Sequence, residues 1–238
     1  DVISSLNAEQ TVNYCYDNNV QKYCDNIHFD SSGVLQTIDL FYENLNSMKA
    51  QGIDIEASYM VPLESIFGGD PGTLRLHAQA THYIENRTDN GVTAIDLAGA
   101  HVGGATPDWI YRLTATYKKD DWLFNLTGRG VSSGVIRNDY IECTSSCPAT
   151  VAPYFTINDN SIPAAFYVDA SVNYTVNFGS KSKAELFFVV RNLLNKDPVM
   201  VSDPQSVGAE NTPGYLQTNR QLYDVLGRTF RFGVRFAL

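Results

Sequence analysis

Charged and polar residues recur at every second position in several segments of this chain. Asp54 and Glu56 are separated by one residue, and so are Arg75 and His77. In an extended strand, side chains two positions apart point to the same side. Opposite charges on neighbouring strands could then form cross-strand ion pairs or line a polar interior. The residues that this spacing predicts on one polar face are Asp54, Glu56, Arg75, His77, Arg112, Arg129, Asp169, Glu185, Arg191, Arg231 and Arg235.

The four histidines do not form a pattern typical of catalysis or metal binding. His77 and His82 fall on opposite sides of one segment, and His28 and His101 lie in separate polar stretches. A catalytic triad needs a nucleophile, a base and a carboxylate that converge, and a zinc site needs clustered ligands. The sequence therefore predicts neither an enzyme nor a metal or cofactor site.

Apolar residues alternate with the polar ones, which is the period of a β-strand with one apolar face. Between Phe166 and Phe178, for example, every second residue is apolar. We count about eight strands and no amphipathic helix. The clearest strands are predicted at 51–61, 72–84, 107–117, 122–130, 166–178, 183–194 and 229–238.

The connections between these strands alternate between short and long. In an antiparallel sheet the short turns then share one end and the long loops the other, which is typical of outer-membrane barrels with long extracellular loops. The stretch 8–33 is predicted as a further loop on the outer side. The short connections are 62–71, 118–121 and 179–182, and the long ones are 85–106, 131–164 and 195–228.

The four cysteines occur as two close pairs, Cys15 with Cys24 and Cys143 with Cys147. Both pairs lie in loops predicted on the outer side. An even number of closely paired cysteines favours two local disulfides in an oxidising compartment. Metal ligation is the alternative, although the cysteine spacing does not match a zinc site.

The composition suits either a soluble antiparallel sandwich or a membrane β-barrel. The chain has 238 residues, of which 44% are hydrophobic and 18% charged, and no apolar run is long enough for a transmembrane helix. The aromatic residues Trp109, Tyr117 and Trp122 lie at strand ends, as at a membrane interface. A dry sandwich core would not accommodate the charges of the polar face. An antiparallel transmembrane β-barrel is therefore the predicted fold class, and a net charge of −9 argues against a nucleic-acid partner.

Three motifs resemble those of TonB-dependent outer-membrane receptors. VRNLLNKDP at 190–198 precedes YDVLGRTFRFGVRF at 223–236, and GIDIEASY at 52–59 is similar to a recurrent strand of that family. The two C-terminal motifs are specific when they occur together in this order. The resemblance covers roughly residues 34–238 and is to the C-terminal part of the family's barrel.

This resemblance implies an active transporter of the bacterial outer membrane, in which a 22-stranded barrel holds a plug domain. About eight strands cannot form such a barrel, so we expect residues 1–238 to be its C-terminal portion, with the plug domain, the TonB box and earlier strands outside this chain. The polar face would then face the plug. Implied partners are outer-membrane lipid, the rest of the barrel, the plug domain, the inner-membrane TonB complex and a small-molecule substrate, with no cofactor.

The resemblance also implies that outer loops recognise the substrate, which would be a siderophore, cobalamin, a metal chelate or an oligosaccharide. A passive porin or a small eight-stranded barrel is the alternative function, and a barrel hydrolase is less favoured. The candidate loop residues are Arg137, Asn138, Asp139, Tyr140, Tyr215, Gln217, Asn219, Arg220 and Tyr223.

Overall fold

The structure, a computed structural model, describes residues 2–45, 47–89, 94–101, 106–149, 155–178, 182–201 and 218–237. The chain divides into two compact units, the first formed by Asp1–Ala50 with Asn86–Asp96 and the second by Gln51–Glu85 with Leu97–Leu238. In chain order the elements are β1 (Val2–Ser5), α1 (Ala8–Tyr16), α2 (Gln21–Cys24), β2 (Ile27–Phe29), β3 (Leu35–Ile38), β4 (Tyr42–Leu45), β5 (Ser47–Val61), α3 (Leu63–Phe67), β6 (Thr73–Asp89), β7 (Ala94–Asp96), β8 (Trp109–Lys119), β9 (Trp122–Val131), β10 (Gly134–Val135), β11 (Ile141–Glu142), β12 (Thr156–Ile157), β13 (Ser161–Ile162), β14 (Ala165–Phe178), β15 (Ser182–Arg191) and β16 (Thr229–Ala237).

The first unit contains two short helices joined by a disulfide. α1 begins at a capping box, in which the Asn7 side chain accepts from the backbone of Gln10 and the Gln10 side chain accepts from the backbone of Asn7. The disulfide between Cys15 and Cys24 joins the end of α1 to the end of α2. The unit also contains the antiparallel pairs β1–β4 and β2–β3.

The two helices correct the prediction that 8–33 is a loop without helix. α1 has nine residues, and it buries only Thr11, Tyr14 and Cys15. A stripe this short gives too few repeats for a helical period to stand out from a polar loop. None of the helices in the described ranges is long and apolar enough to cross a membrane.

The second unit contains most of a large antiparallel sheet. Its strand order is β16-β15-β14-β9-β8-β6-β5, and the short β7 pairs with β6. β14, for instance, runs antiparallel to both β9 and β15. Within the described part of the chain the sheet does not close on itself, and β5 and β16 are its edges. The predicted all-β antiparallel fold with about eight main strands is confirmed.

The register of the strands separates apolar from polar residues, as the period of two predicts. Across β8 and β9, Tyr117 is opposite Phe124, whereas Thr116 is opposite Asn125. On the apolar face, large side chains remain open to solvent, and Phe232 is 83% exposed. Water disfavours an extended apolar surface of this kind. We therefore expect this face to contact an apolar environment that the described residues do not supply.

The strand ends joined by short connections lie at one end of the sheet, and those joined by long connections lie at the other, as predicted. Three strands end two or more residues away from the position that the sequence pattern indicates. β8 ends at Lys119 instead of 117. β6 continues beyond the predicted end at 84 to Asp89. β15 ends at Arg191 because Asn192 and Asn195 adopt φ angles of 50° and 51°, which turn the chain out of the sheet.

Most of the buried apolar residues described in the second unit collect where the long loops meet the polar face. They form two clusters, one on the sheet and one within the loops. Two apolar cores at this end explain how long polar loops can hold a defined conformation. The first cluster comprises Val131, Ala165, Tyr167 and Tyr223, and the second comprises Ile136, Tyr140, Ile162 and Val201.

Candidate functional site

The acidic edge of the polar face lies on β5 and makes its hydrogen bonds to β6. Glu56 lies 2.9 Å from the His77 Nε2 atom, as the sequence predicts for neighbouring strands. Asp54 instead accepts a hydrogen bond from the Thr81 hydroxyl at 2.6 Å. Among the described residues, Arg75 has no carboxylate within ion-pair distance. The predicted ladder of alternating charges is therefore present in part at this edge.

Arg129 is the centre of the polar contacts near the long loops. Its Nε donates to Asp169 at 3.1 Å, and its Nη2 donates to Asp224 at 2.9 Å. The guanidinium carbon lies 4.7 Å from the centre of the Tyr167 ring, within the range of a cation–π contact. The second oxygen of Asp169 accepts the backbone N–H of Asn192 at 2.8 Å. Two carboxylates thus pair with one guanidinium, and these contacts join four parts of the chain: β9, β14, the residue after β15 and residue 224.

Residues 219–224, which we call the loop cover, fold over the loop end of the polar face. Tyr223 is only 3% exposed and packs against Val131, Ala165 and Tyr167. At the start of the cover, a side-chain N–H of Asn219 donates to the backbone oxygen of His101 at 3.0 Å. The end of the cover is held by the ion pair of Asp224 with Arg129. The last long loop is therefore attached to the sheet by both polar and apolar contacts.

A buried contact between His101 and Tyr223 also attaches the loop cover to the long loop that contains His101. The Tyr223 hydroxyl lies 2.6 Å from His101 Nδ1, and His101 is fully buried. Burial lowers the pKa of His101, and the charge of Asp108 opposes this shift in part. Burial raises the pKa of Tyr223 to about 12, with a smaller effect of Tyr167. Both rings are therefore neutral at physiological pH.

A cavity of about 740 Å³ lies on the polar face beside the loop cover. The carboxylates of Asp54 and Glu56 line one side, and the guanidinium of Arg112 lines another. Tyr167 and Gln221 add a phenol ring and an amide. A cavity with a few convergent polar groups of this kind suits a polar small molecule. The cavity brings together residues of the predicted polar face with residues that sequence reasoning missed, among them Tyr167, Gln221 and Leu222.

The four loop residues at 137–140 make contacts within the loop layer. Arg137 forms two hydrogen bonds with the carboxylate of Asp139 at 2.7 and 2.8 Å. Asn138 donates to the backbone oxygen of Ala98 at 2.7 Å, and Tyr140 belongs to the second buried cluster. None of the four residues lines the 740 Å³ cavity.

The candidates of the last loop have different positions. Asn219 and Tyr223 belong to the loop cover, where they bond to His101, and Arg220 is exposed on its surface. Tyr215 and Gln217 lie outside the described residues. Asp224 was not among the candidates, although the YDVLGR motif contains it, because only the fold brings it to Arg129.

Both predicted disulfides are present. The second joins Cys143 to Cys147 in the loop between β9 and β14, and it closes a segment of few residues. Within the described ranges, no three side chains of the types that bind metals approach closely enough to hold an ion. The cysteines therefore act in this structure as local covalent links in the loop layer and in the first unit.

Comparison with known proteins gives one family. The model of the family "TonB dependent receptor-like, beta-barrel" matches residues 6–193. No curated protein and no solved structure matches the chain. Members of the matched family are outer-membrane β-barrels that act in transport. The match covers well over half of the sequence and agrees with the two-faced antiparallel sheet, so the chain belongs to the TonB-dependent receptor β-barrel family.

Proposed function

We propose that this chain is the C-terminal portion of an outer-membrane barrel that imports a scarce nutrient with energy from the TonB complex. The observation that carries the proposal is the family match over residues 6–193, on a sheet with one apolar and one polar face. The nutrient would be a siderophore, cobalamin, a metal chelate or an oligosaccharide.

Membrane insertion accounts for the exposed apolar face. Leu113 and Leu126 are about half exposed, at 51% and 50%, near the middle of β8 and β9. Trp122 stacks against Phe124 and contacts Tyr174 at the short-turn end. Aliphatic residues in a central band with aromatic residues at its border are the pattern of a transmembrane barrel. Outer-membrane lipid is therefore the proposed partner of this face.

The two open edges support a larger barrel. β5 and β16 each present backbone N–H and C=O groups along one side. In a membrane such groups have no water to bind, so spanning sheets are closed barrels. We propose that further strands pair with these edges and that the polar face surrounds a plug domain, through which the TonB complex acts.

The polar face suits a plug that must be held and later moved. Polar and charged contacts fix the register of an interface, while their net stabilisation is modest. We propose that Arg112, Asp54 and Glu56 face the plug or the passing nutrient, since they line the open cavity. In the same scheme the loop cover and the 137–140 segment form the outer rim, where the nutrient is first bound.

Uptake in cells tests the proposal directly. Cells with and without the full-length protein are supplied with iron siderophores, cobalamin or oligosaccharides, each with a working or a deleted TonB complex. We expect uptake of one class of nutrient that needs both the protein and TonB. Uptake that continues without TonB, together with ion conductance of the purified protein in a planar bilayer, would identify a passive porin and overturn the proposal.

A pair of variants tests the role of the polar face. Arg112→Gln removes a guanidinium that lines the cavity, whereas Arg75→Gln removes one on the same face outside it. We expect the first variant to reduce TonB-dependent uptake several-fold and the second to leave it nearly unchanged, at equal amounts of protein in the outer membrane. Equal uptake by both variants would contradict the assignment of the cavity.

A further inference from the structure

A second cavity, of about 440 Å³, lies on the polar face near the β16 edge. Arg191, Arg231 and Arg235 all line it, so three guanidinium groups share one space. The remaining polar lining is neutral and is supplied by Asn125, Ser171, Asn173 and Thr229. This cavity has no lining residue in common with the 740 Å³ cavity beside the loop cover.

The ring of Phe187 holds two of the arginines in place. The guanidinium carbons of Arg231 and Arg235 lie 5.7 and 4.8 Å from the ring centre, which permits two cation–π contacts. Phe187 is directly opposite Gly233 in the sheet. A side chain at Gly233 would place its first carbon 2.6 Å from the ring, so the absence of one lets the ring lie across β16 between the arginines.

The positive charge in this cavity is only partly neutralised. Glu185 accepts from Arg235 at 3.3 Å, and it also accepts from Asn173. Arg191 and Arg231 have no carboxylate within ion-pair distance in the described part of the chain. Like charges held close together repel, and an anion between them relieves that repulsion. The excess of positive charge is notable in a chain whose net charge is −9.

We propose that this cavity binds a small oxyanion that carries two or more negative charges on carboxylate or phosphate groups. The planar guanidinium presents pairs of N–H donors that match the two oxygens of a carboxylate or phosphate. The side-chain amides and hydroxyls of Asn125, Ser171 and Thr229 supply further hydrogen bonds to the same anion. Binding of the anion to these side chains needs no energised transport, so a failure of this site can be distinguished from a failure of the proposed transport.

Calorimetry on the full-length protein, purified in detergent at low ionic strength, tests this site. The probes are citrate for carboxylates and inorganic phosphate for phosphates, and neutral glycerol is the negative control. We expect one citrate or phosphate per chain, with a dissociation constant that rises at least tenfold in Arg231→Gln and in Arg191→Gln. Arg75→Gln is the matched control, since it removes an arginine of the same face that lies outside the cavity, and it is expected to bind as the natural protein does.

A second variant separates the arrangement of the arginines from their charge. Phe187→Leu keeps every charged group and removes the ring on which Arg231 and Arg235 rest, and we expect it to weaken binding several-fold. An unfolding temperature in detergent equal to that of the natural protein verifies that each variant is folded. Absence of citrate and phosphate binding, or equal weakening in Arg75→Gln and Arg231→Gln, would overturn the proposal. A strong preference for one probe identifies the class of anion.

Discussion

Replacement of Tyr223 by Phe is the sharpest test of how the loop cover is held. The change removes one hydroxyl, which lies 2.6 Å from Nδ1 of His101, and leaves the ring in its pocket. The apolar contacts with Val131, Ala165 and Tyr167 are retained. The variant therefore isolates one buried hydrogen bond from the packing around it.

The expected loss of free energy on removal of the hydroxyl follows from the burial of both Tyr223 and His101. His101 is fully buried and Tyr223 is 3% exposed, so no water replaces the lost hydroxyl at Nδ1. A buried polar atom left without a partner costs about 1–3 kcal/mol. The phenylalanine ring fits the same space and offsets a small part of this cost. We expect the closed cover to lose about 1–2 kcal/mol, which corresponds to a roughly 5- to 30-fold larger open population.

Amide hydrogen exchange measures this opening at the cover itself. The backbone N–H groups of Leu222 and Tyr223 both donate to the backbone oxygen of Asn219, at 3.1 and 2.9 Å, so they exchange when the cover opens. We expect their exchange to accelerate roughly 5- to 30-fold in Tyr223→Phe. The matched control is Tyr16→Phe, which removes a hydroxyl from a tyrosine that is 60% exposed. If exchange at the cover is unchanged in Tyr223→Phe, or rises equally in Tyr16→Phe, the contact with His101 does not hold the cover.

Three further predictions concern other parts of the structure. Because burial lowers the pKa of His101 below its ordinary value of about 6.5, the closed cover binds fewer protons than the open one. The opening equilibrium constant of the cover, obtained as the amide exchange rate divided by the intrinsic exchange rate at the same pH, should therefore rise as the pH falls below about 6.5 and stay constant above it. Gly130→Ala places a carbon 2.6 Å from the ring of Tyr111, and this overpacking should cost about 1–3 kcal/mol, seen as a lower unfolding temperature in detergent. Replacement of Cys15 and Cys24 by Ser opens a link between residues nine apart, and it should destabilise the first unit by about 2–3 kcal/mol in thermal unfolding, whereas unaltered unfolding would show that the link adds no stability.

The strands of the large sheet could be predicted because a strand between an apolar and a polar environment has to alternate apolar and polar side chains. In β14, Val168, Ala170 and Val172 are on one face, and Asp169 and Ser171 are on the other. A shift of one residue would reverse every side chain, so the pattern also indicates the register. The eleven polar-face residues could be assigned for the same reason, without any knowledge of long-range contacts.

The loop cover could not be predicted in this way. His101 and Tyr223 are 122 residues apart, and both occur in long polar loops without a period. Nothing local distinguishes them from exposed loop residues, because their burial depends on how two loops meet over the sheet. The same holds for Asp224, whose ion pair with Arg129 joins residues 95 positions apart.

The charges of the polar face change along the strands, and the change has a physical consequence for solutes. At the loop end, Asp169 and Asp224 neutralise Arg129. Farther along the sheet toward the short turns, Arg231 and Arg235 share the ring of Phe187. Fields of like charges add within a wall of low dielectric constant, so an anion on the polar face is attracted from the loop end toward Arg231 and Arg235, whereas a neutral solute is not. Under the proposed orientation that direction is inward. Arg231→Gln, the variant that also tests the anion site, removes one of these two positive charges and should weaken the attraction.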